Sequence, residues 1–191
     1  MENESFGSTK KTVMSYLHDL TILLAVILAV FLIFFRIVIV SGPSMMSTLL
    51  NGDYLIVVNQ FFAGDPKPGD VVVISKSTYD NGTPIIKRVI ATEGQQVTIR
   101  DSKVFVDGQQ LDEPYIHGLP TAAPNGGVYT VTVEPGCVFV LGDNRTVSKD
   151  SRSSQIGQID CREILGKALV CIFPGADSLG QRDYGRIGGI E

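Results

Sequence analysis

The sequence predicts an all-β domain of short antiparallel strands behind one N-terminal transmembrane helix, and three observations carry that prediction. From Leu20 to Val40 only Thr21 and Arg36 are polar, and a helix of that length reaches roughly 31 Å, close to the thickness of a bilayer's hydrocarbon core. Beyond it, short runs of β-branched residues recur between Gly-Asp, Pro-Gly, Asn-Gly, Asp-Gly and Gly-Gly pairs. Such pairs supply the positive φ of tight turns or stop strand pairing. No helix-period pattern of comparable strength appears outside the apolar run.

The chain divides accordingly into a polar segment (1–19), an anchor (20–40), a β domain (41–174) and a Gly-rich tail (175–191) expected to be loosely held. A cleaved secretory signal fits the apolar run poorly, because the run exceeds the about 7–15 residues of such a core and no A-x-A-like site follows. Arg36 lies close enough to the far end for its side chain to reach the interface. The closing Ile37-Val38-Ile39-Val40 has the composition of a strand. Lys10 and Lys11 precede the span and the next basic residue after Val40 is Lys67. The positive-inside rule therefore places the N-terminus in the cytoplasm and everything from Ser41 onward outside.

Strands are expected at Tyr54–Val58, Asp70–Ser75, Ile85–Ile90, Gln96–Arg100, Lys103–Val106, Val128–Val133, Val138–Leu141 and Leu165–Phe173. Pro114–Gly127, with three prolines and three glycines, reads as a surface loop. Phe61 and Phe62 stand together between a strand and a Gly/Pro turn. Either one ring enters the core and the other is incidentally exposed, or the turn dips into a membrane interface, a zone aromatic rings favour.

Composition narrows the partners. The 191 residues carry 16 Lys and Arg against 20 Asp and Glu, a net charge of −4, with no basic block. This argues against nucleic acid and toward a polypeptide or a membrane. The three cysteines, Cys137, Cys161 and Cys171, are too few and too widely spaced for a zinc-ligand pattern. Each sits among Val or Ile and reads as a buried thiol.

The first candidate for chemistry is Ser44, in Ser41-Gly42-Pro43-Ser44-Met45-Met46-Ser47-Thr48-Leu49-Leu50, directly after the apolar run. Gly42 and Pro43 impose a turn-like backbone before it, and the methionines are soft fillers for an apolar cleft. A serine so presented is a nucleophile only if a neighbour takes its proton. Otherwise the stretch is an ordinary Ser/Gly/Pro loop ending a helix. The two histidines are poor acceptors: His18 precedes the anchor, across the membrane from Ser44, and His117 lies in the Pro-rich loop, where a solvated role is expected.

Lys87 is the remaining candidate, in Pro84-Ile85-Ile86-Lys87-Arg88-Val89-Ile90. Alternation puts it on one face with Ile85 and Val89, and Arg88 on the other with Ile86 and Ile90. Burial lowers a lysine pKa, whereas arginine stays charged wherever it sits. A shift from about 10.4 to about 7.5 corresponds to roughly 4 kcal/mol. The competing reading leaves both cations at a sheet edge with their stems on the sheet. A second polar cluster, Leu141-Gly142-Asp143-Asn144-Arg145-Thr146-Val147-Ser148-Lys149-Asp150-Ser151-Arg152, follows an apolar strand. It is either a solvated turn or a hydrogen-bonded support, with Ser148 as donor or acceptor and Asp150 and Arg152 as an ion pair.

Taken in order, the anchor, Ser41-Gly42-x-Ser44-Met45-x-x-Thr48-Leu49, Gly69-Asp70-x-Val72, Lys87-Arg88-Val89 and Gly142-Asp143-Asn144-Arg145-x-x-Ser148-x-Asp150-Ser151-Arg152 resemble the type I (leader) signal peptidases. These are membrane-anchored serine proteases with a Ser-Lys dyad, and the small Gram-positive form is the nearer likeness. The resemblance implies a signal-peptidase-like β fold for the catalytic domain, with Ser44 as nucleophile and Lys87 as general base. It implies that Ser148 orients the lysine amine, that Asp150 pairs with Arg152, and that Asp143 and Arg88 help hold the site. It puts Gly42 where some members carry an oxyanion-hole serine, so backbone N–H groups would form the hole. The implied substrates are secreted preproteins, cut after small residues such as Ala, at a lipid bilayer and with no metal or organic cofactor. This chain departs from the pattern at Ser47, where most members have Pro, at Thr146-Val147, in place of Asp-Asn, and at Ala91 and Gln95, where Gly and Asp are usual.

Two other classes share some of these features. Self-cleaving Ser-Lys repressors have a similar Ser-x-Met stretch, but carry a DNA-binding domain where this chain has an apolar run. A non-enzymatic, membrane-anchored β-module that binds exported chains would leave the clusters without a chemical role.

Overall fold

The computed structural model describes residues 2–46, 48–177 and 179–190, with side chains from Val13 onward; Ser47, one of the departures above, lies outside them. It forms two compact units, one up to Phe35 and one from Arg36. The first is a helix, α1 (Glu2–Phe34). Within it Val13–Phe34, 22 residues, is long and apolar enough to cross a membrane, and none of that stretch is buried within the protein. A helix apolar on all sides with nothing packed on it fits lipid surroundings.

The helix expected at 20–40 is displaced toward the N-terminus. The helix stops at Phe34, and β1 (Phe35–Ile39) takes up most of what remained of the expected span. The reason is local: β-branched Ile37, Val38 and Ile39 lose χ1 freedom in a helix and suit a pleated sheet. The polar residues ahead of Leu20 continue the helix instead.

The second unit continues with β2 (Tyr54–Asn59), α2 (Gln60–Ala63), β3 (Val71–Ile74), β4 (Ile85–Thr92), β5 (Gln96–Arg100), β6 (Lys103–Val106) and β7 (Gln109–Gln110). There follow β8 (Tyr129–Thr132), β9 (Cys137–Leu141), β10 (Ile159–Asp160), β11 (Ile164–Phe173) and β12 (Gly188–Gly189). Every expected strand forms, with ends displaced by two residues at most. The strands not foreseen are β7, β10 and β12, each two residues long, too short to show alternation.

The larger sheet has the order β1-β2-β11-β3-β4-β9-β10 with β12 paired to β11; the smaller has the order β7-β6-β5-β8. The register places Val72 opposite Lys87 and Val71 opposite Arg88. Strand β4 is thus interior, flanked by β3 and β9, and residues Ile86 to Ala91 are all buried. The apolar side chains form three clusters. One joins β2, β3 and β11 to Val40, Met45 and Leu49. A second lies across β3, β4, β9 and β10, and a third joins β4 and β9 to the smaller sheet. Met45 is 1% exposed and Met46 42%, so only the first of the two fills the core.

Phe61 and Phe62 lie on α2, and the expected arrangement with one ring in the core does not occur: Phe61 is 86% exposed and Phe62 42%. The four-residue helix is too short to bury a face.

The C-terminal segment is firmly tied, contrary to the loose tail expected from its glycines. Asp53 is fully buried and accepts hydrogen bonds from the Gly175 N–H at 2.6 Å, the Leu50 N–H at 2.8 Å and Arg186 Nη1 and Nη2 at 3.0 and 2.7 Å. A Cβ at Gly175 would lie 2.2 Å from the Asn51 carbonyl oxygen, so glycine is there for close approach, not for flexibility. Arg186 also donates to the Thr48 carbonyl at 3.1 Å, and Ile190 packs on the first cluster. Replacing Arg186 with Ala leaves Asp53 buried without its cation, which should lower the unfolding free energy by about 3 kcal/mol. Chemical unfolding of the full chain in detergent measures this; a loss near zero would mean that the segment adds nothing to the fold.

Candidate active site

Ser44 sits in the turn between β1 and β2, a turn anchored in the first apolar cluster by Met45 and Leu49, both 1% exposed. Gly42 adopts φ +88°, a conformation L-residues rarely take, and its N–H donates to Asn51 Oδ1 at 3.0 Å. The Ser44 carbonyl accepts from the Asn144 N–H at 3.0 Å, and Asn144 Nδ2 donates to the Pro43 carbonyl at 3.2 Å. The serine backbone is thus clamped to the segment after β9. Among the described residues the Ser44 N–H has no acceptor.

Lys87 enters from β4. Its Nζ donates to Ser44 Oγ at 2.8 Å and to the Ile86 carbonyl at 2.9 Å. At 3% exposure the ammonium is poorly solvated, and its pKa falls from 10.5 to about 8. Burial is the main cause; the Asp150 and Asp143 carboxylates oppose it. The shift corresponds to about 3 kcal/mol in favour of the neutral amine. Both cations of the Lys87-Arg88 pair are buried, because β4 is covered on both faces.

Arg88 forms a bidentate pair with Asp143, Nε to Oδ1 at 2.9 Å and Nη2 to Oδ2 at 2.7 Å, and donates through Nη1 to the Gly69 carbonyl at 3.0 Å. Thr48 Oγ1 donates to Asp143 Oδ2 at 2.5 Å. The expected Asp150–Arg152 pair forms at 2.8 Å, and Asp150 Oδ2 also accepts the Gly142 N–H at 3.1 Å. Ser148 differs from expectation. Its Oγ is buried and has no hydrogen-bond partner among the described residues, while the amine it was expected to orient donates to Ser44 and to the Ile86 carbonyl. Val147 is 54% exposed, and Gln95 caps the β4–β5 turn by accepting from the Thr92 N–H at 3.0 Å. His117 is exposed, and His18 lies in α1.

Several residues escaped the sequence reading. Thr48 belongs to the Ser44 motif, but nothing in its spacing points to Asp143 as a partner. Glu113, Tyr115 and Thr121 surround Arg145 and Arg88, although they lie on a loop expected to be only a connection. Their only signal was polar and aromatic groups flanking a Pro-rich turn. Gly142 is a point of close approach in the site: a Cβ there would lie 2.2 Å from Ser148 Oγ and 2.5 Å from the Ser44 carbonyl oxygen. Among the described residues no group of three or more His, Cys, Asp or Glu is arranged to hold a metal.

A family model described as signal peptidase, peptidase S26, matches residues 13–173. The chain is 36% identical to a probable signal peptidase I-1 of Synechocystis sp. over 164 residues, 81% of each chain. It is 34% identical to signal peptidase I T of Bacillus subtilis over 179 residues, covering 87% of this chain and 90% of that one. A crystal structure of a signal peptidase I from Enterococcus faecalis V583 aligns with a TM-score of 0.45 and 28% identity, over 54% of this chain and 96% of that chain. The chain belongs to the signal peptidase family, peptidase S26. It is a serine endopeptidase with an N-terminal apolar helix suited to anchoring it in a membrane, and the non-enzymatic reading is set aside.

Gly142→Ala should remove at least about 100-fold of the peptidase activity, since misplacement of reacting groups by about 1 Å has effects of that order. The assay is cleavage of a signal-junction peptide, with circular dichroism to confirm folding. Activity within a few-fold of the parent would show that this close approach does not position the serine.

Proposed function

We propose that this peptidase removes N-terminal signal peptides from exported preproteins by a Ser44–Lys87 dyad. The observation that supports it most directly is the 2.8 Å contact between Lys87 Nζ and Ser44 Oγ at a lysine stripped of solvent. The relatives' names, signal peptidase I, supply the substrate class.

In this reading an extended preprotein segment adds to a strand edge beside the dyad. Neutral Lys87 accepts the Ser44 hydroxyl proton as Oγ attacks the scissile carbonyl carbon. The carbonyl π pair moves onto oxygen, and the Ser44 N–H, which has no acceptor among the described residues, faces the developing charge. The Gly42 N–H serves differently, holding the turn through Asn51. Collapse breaks the C–N bond, and the leaving amine takes the proton from the Lys87 ammonium. Lys87 then accepts a proton from water as the hydroxide oxygen attacks the ester, and returns it to Ser44. Arg88, Asp143, Asp150 and Arg152 act on the dyad by holding the two segments that bear it. No step calls for a metal or organic cofactor.

Ser44→Ala and Lys87→Ala should each abolish cleavage while the fold survives, because nucleophile and base act as a unit. Lys87→Arg should not rescue, since a guanidinium does not deprotonate. The working form of Lys87 is neutral, so cleavage should rise with pH through an apparent pKa near 8. A limb near pH 10, or substantial activity in Lys87→Ala, would refute the dyad.

The orientation follows from charge: Lys10 and Lys11 place the N-terminus in the cytoplasm and the catalytic domain on the outer face, as a single-pass protein of the cell membrane. The edge-to-face pair Phe61 and Phe62, with ring centroids 5.2 Å apart and neither ring buried, would then enter the bilayer interface. A chain shortened to begin at Arg36 should still bind vesicles of phosphatidylethanolamine and phosphatidylglycerol. Changing both phenylalanines to Ser should weaken that binding without slowing cleavage of a soluble peptide. Equal losses of binding and cleavage would place these rings in the fold instead.

A further inference from the structure

The segment from Glu113 to Thr121 has no part in the mechanism above, yet its side chains reach the charged groups on which the dyad rests. Arg145 has a fully buried side chain, and its guanidinium ties both ends of this loop. Nη1 donates to Thr121 Oγ1 at 2.7 Å and to Glu113 Oε2 at 3.1 Å, and Nη2 to Glu113 Oε1 at 2.5 Å. The remaining donor, Nε, goes to the Gly142 carbonyl at 3.0 Å. The peptide groups of Gly142 are therefore gripped from two directions, by Asp150 at the N–H and by Arg145 at the carbonyl. This glycine is the point against which both the Ser44 carbonyl and the Ser148 side chain lie.

Tyr115 reaches the other half of the site. Its ring lies 4.0 Å from the Arg88 guanidinium carbon, and its hydroxyl donates to Glu113 Oε1 at 3.1 Å. Burial and then the Glu113 carboxylate push the phenol's pKa upward, so it remains a neutral donor. Arg88 adjoins Lys87 in the chain and holds Asp143, which in turn holds Thr48 in the serine's own turn.

We propose that Glu113 and Tyr115 are positioning residues for the peptidase reaction: Glu113 fixes Gly142 through Arg145, and Tyr115 fixes Arg88, so that Ser44 and Lys87 keep their contact. The charges explain why both are needed. Arg88, Arg145 and Arg152 face Asp143, Asp150 and Glu113, one carboxylate for each guanidinium. With Glu113 neutralised, Arg145 cannot shed its proton, and the other two carboxylates already hold Arg88 and Arg152. The guanidinium must then shift, and Gly142 shifts with it. Without an aromatic face, Arg88 loses a cation–π contact, and its hydrogen bonds to Asp143 and to the Gly69 carbonyl are left to hold the guanidinium against the serine turn.

The proposal rests on the dyad reading, and its test separates the two. The full chain in detergent is assayed on a synthetic peptide spanning a signal-peptide junction, with alanine at the first and third positions before the cut. Tyr115→Leu and Glu113→Gln should lower kcat at least about 10-fold while KM stays within about twofold, the pattern of misaligned reacting groups. Tyr115→Phe, which keeps the ring over Arg88, should retain most of kcat. A thermal midpoint above the assay temperature shows that each variant is folded; if Tyr115→Leu is not, Glu113→Gln and Tyr115→Phe decide by the same criteria. A kcat within about threefold of the parent in Glu113→Gln, a change confined to KM, or a Tyr115→Phe as slow as Tyr115→Leu would each overturn the proposal. Failure of the dyad reading appears separately, as activity in Lys87→Ala.

Discussion

Asp143 is the junction on which the candidate site depends. One buried carboxylate accepts from Arg88 on the Lys87 strand and from Thr48 on the Ser44 turn, while its neighbour Asn144 donates to the Ser44 carbonyl. Two segments 43 residues apart in the chain are thereby referred to one short stretch after β9. A buried carboxylate held this way adds little net stability over an apolar core. What it supplies is geometry, since charge-assisted bidentate bonds allow few orientations.

Against that frame the lysine is held at odds with its own solvation. An amine in water would stay protonated far above neutrality, and the burial of β4 on both faces brings it down to about 8. The nearby carboxylates work in the opposite direction, so the depression is a balance. Pairing each carboxylate with a guanidinium moderates that opposition: Asp143 is neutralised by Arg88 and Asp150 by Arg152. The network that holds Lys87 against Ser44 also sets how readily the lysine gives up its proton.

The same logic of close approach and buried charge recurs away from the site. Asp53 ties the end of the chain to the turn that carries Ser44, through Gly175, Leu50 and Arg186. Gly166 lets β11 cross against β2, where a Cβ would lie 2.1 Å from the Val58 carbonyl oxygen. Glycines at such points transmit position because nothing softer separates the backbones.

The sequence by itself determined the elements whose signals are local. The β-branched runs between turn pairs marked eight strands, the apolar run marked a membrane-suited helix, and the Ser44, Lys87 and Gly142–Arg152 clusters are ones the fold brings together. The tertiary structure alone decided what depends on distant partners. The ordered C-terminus follows from a buried aspartate more than 120 residues earlier. The Ser148 hydroxyl, without a partner among the described residues, and the bonds of Arg145 to Glu113 and Thr121 likewise depend on which side chains a sheet brings together. Propensity and periodicity are sums over neighbours along the chain, whereas a hydrogen bond or a close backbone contact is set in three dimensions.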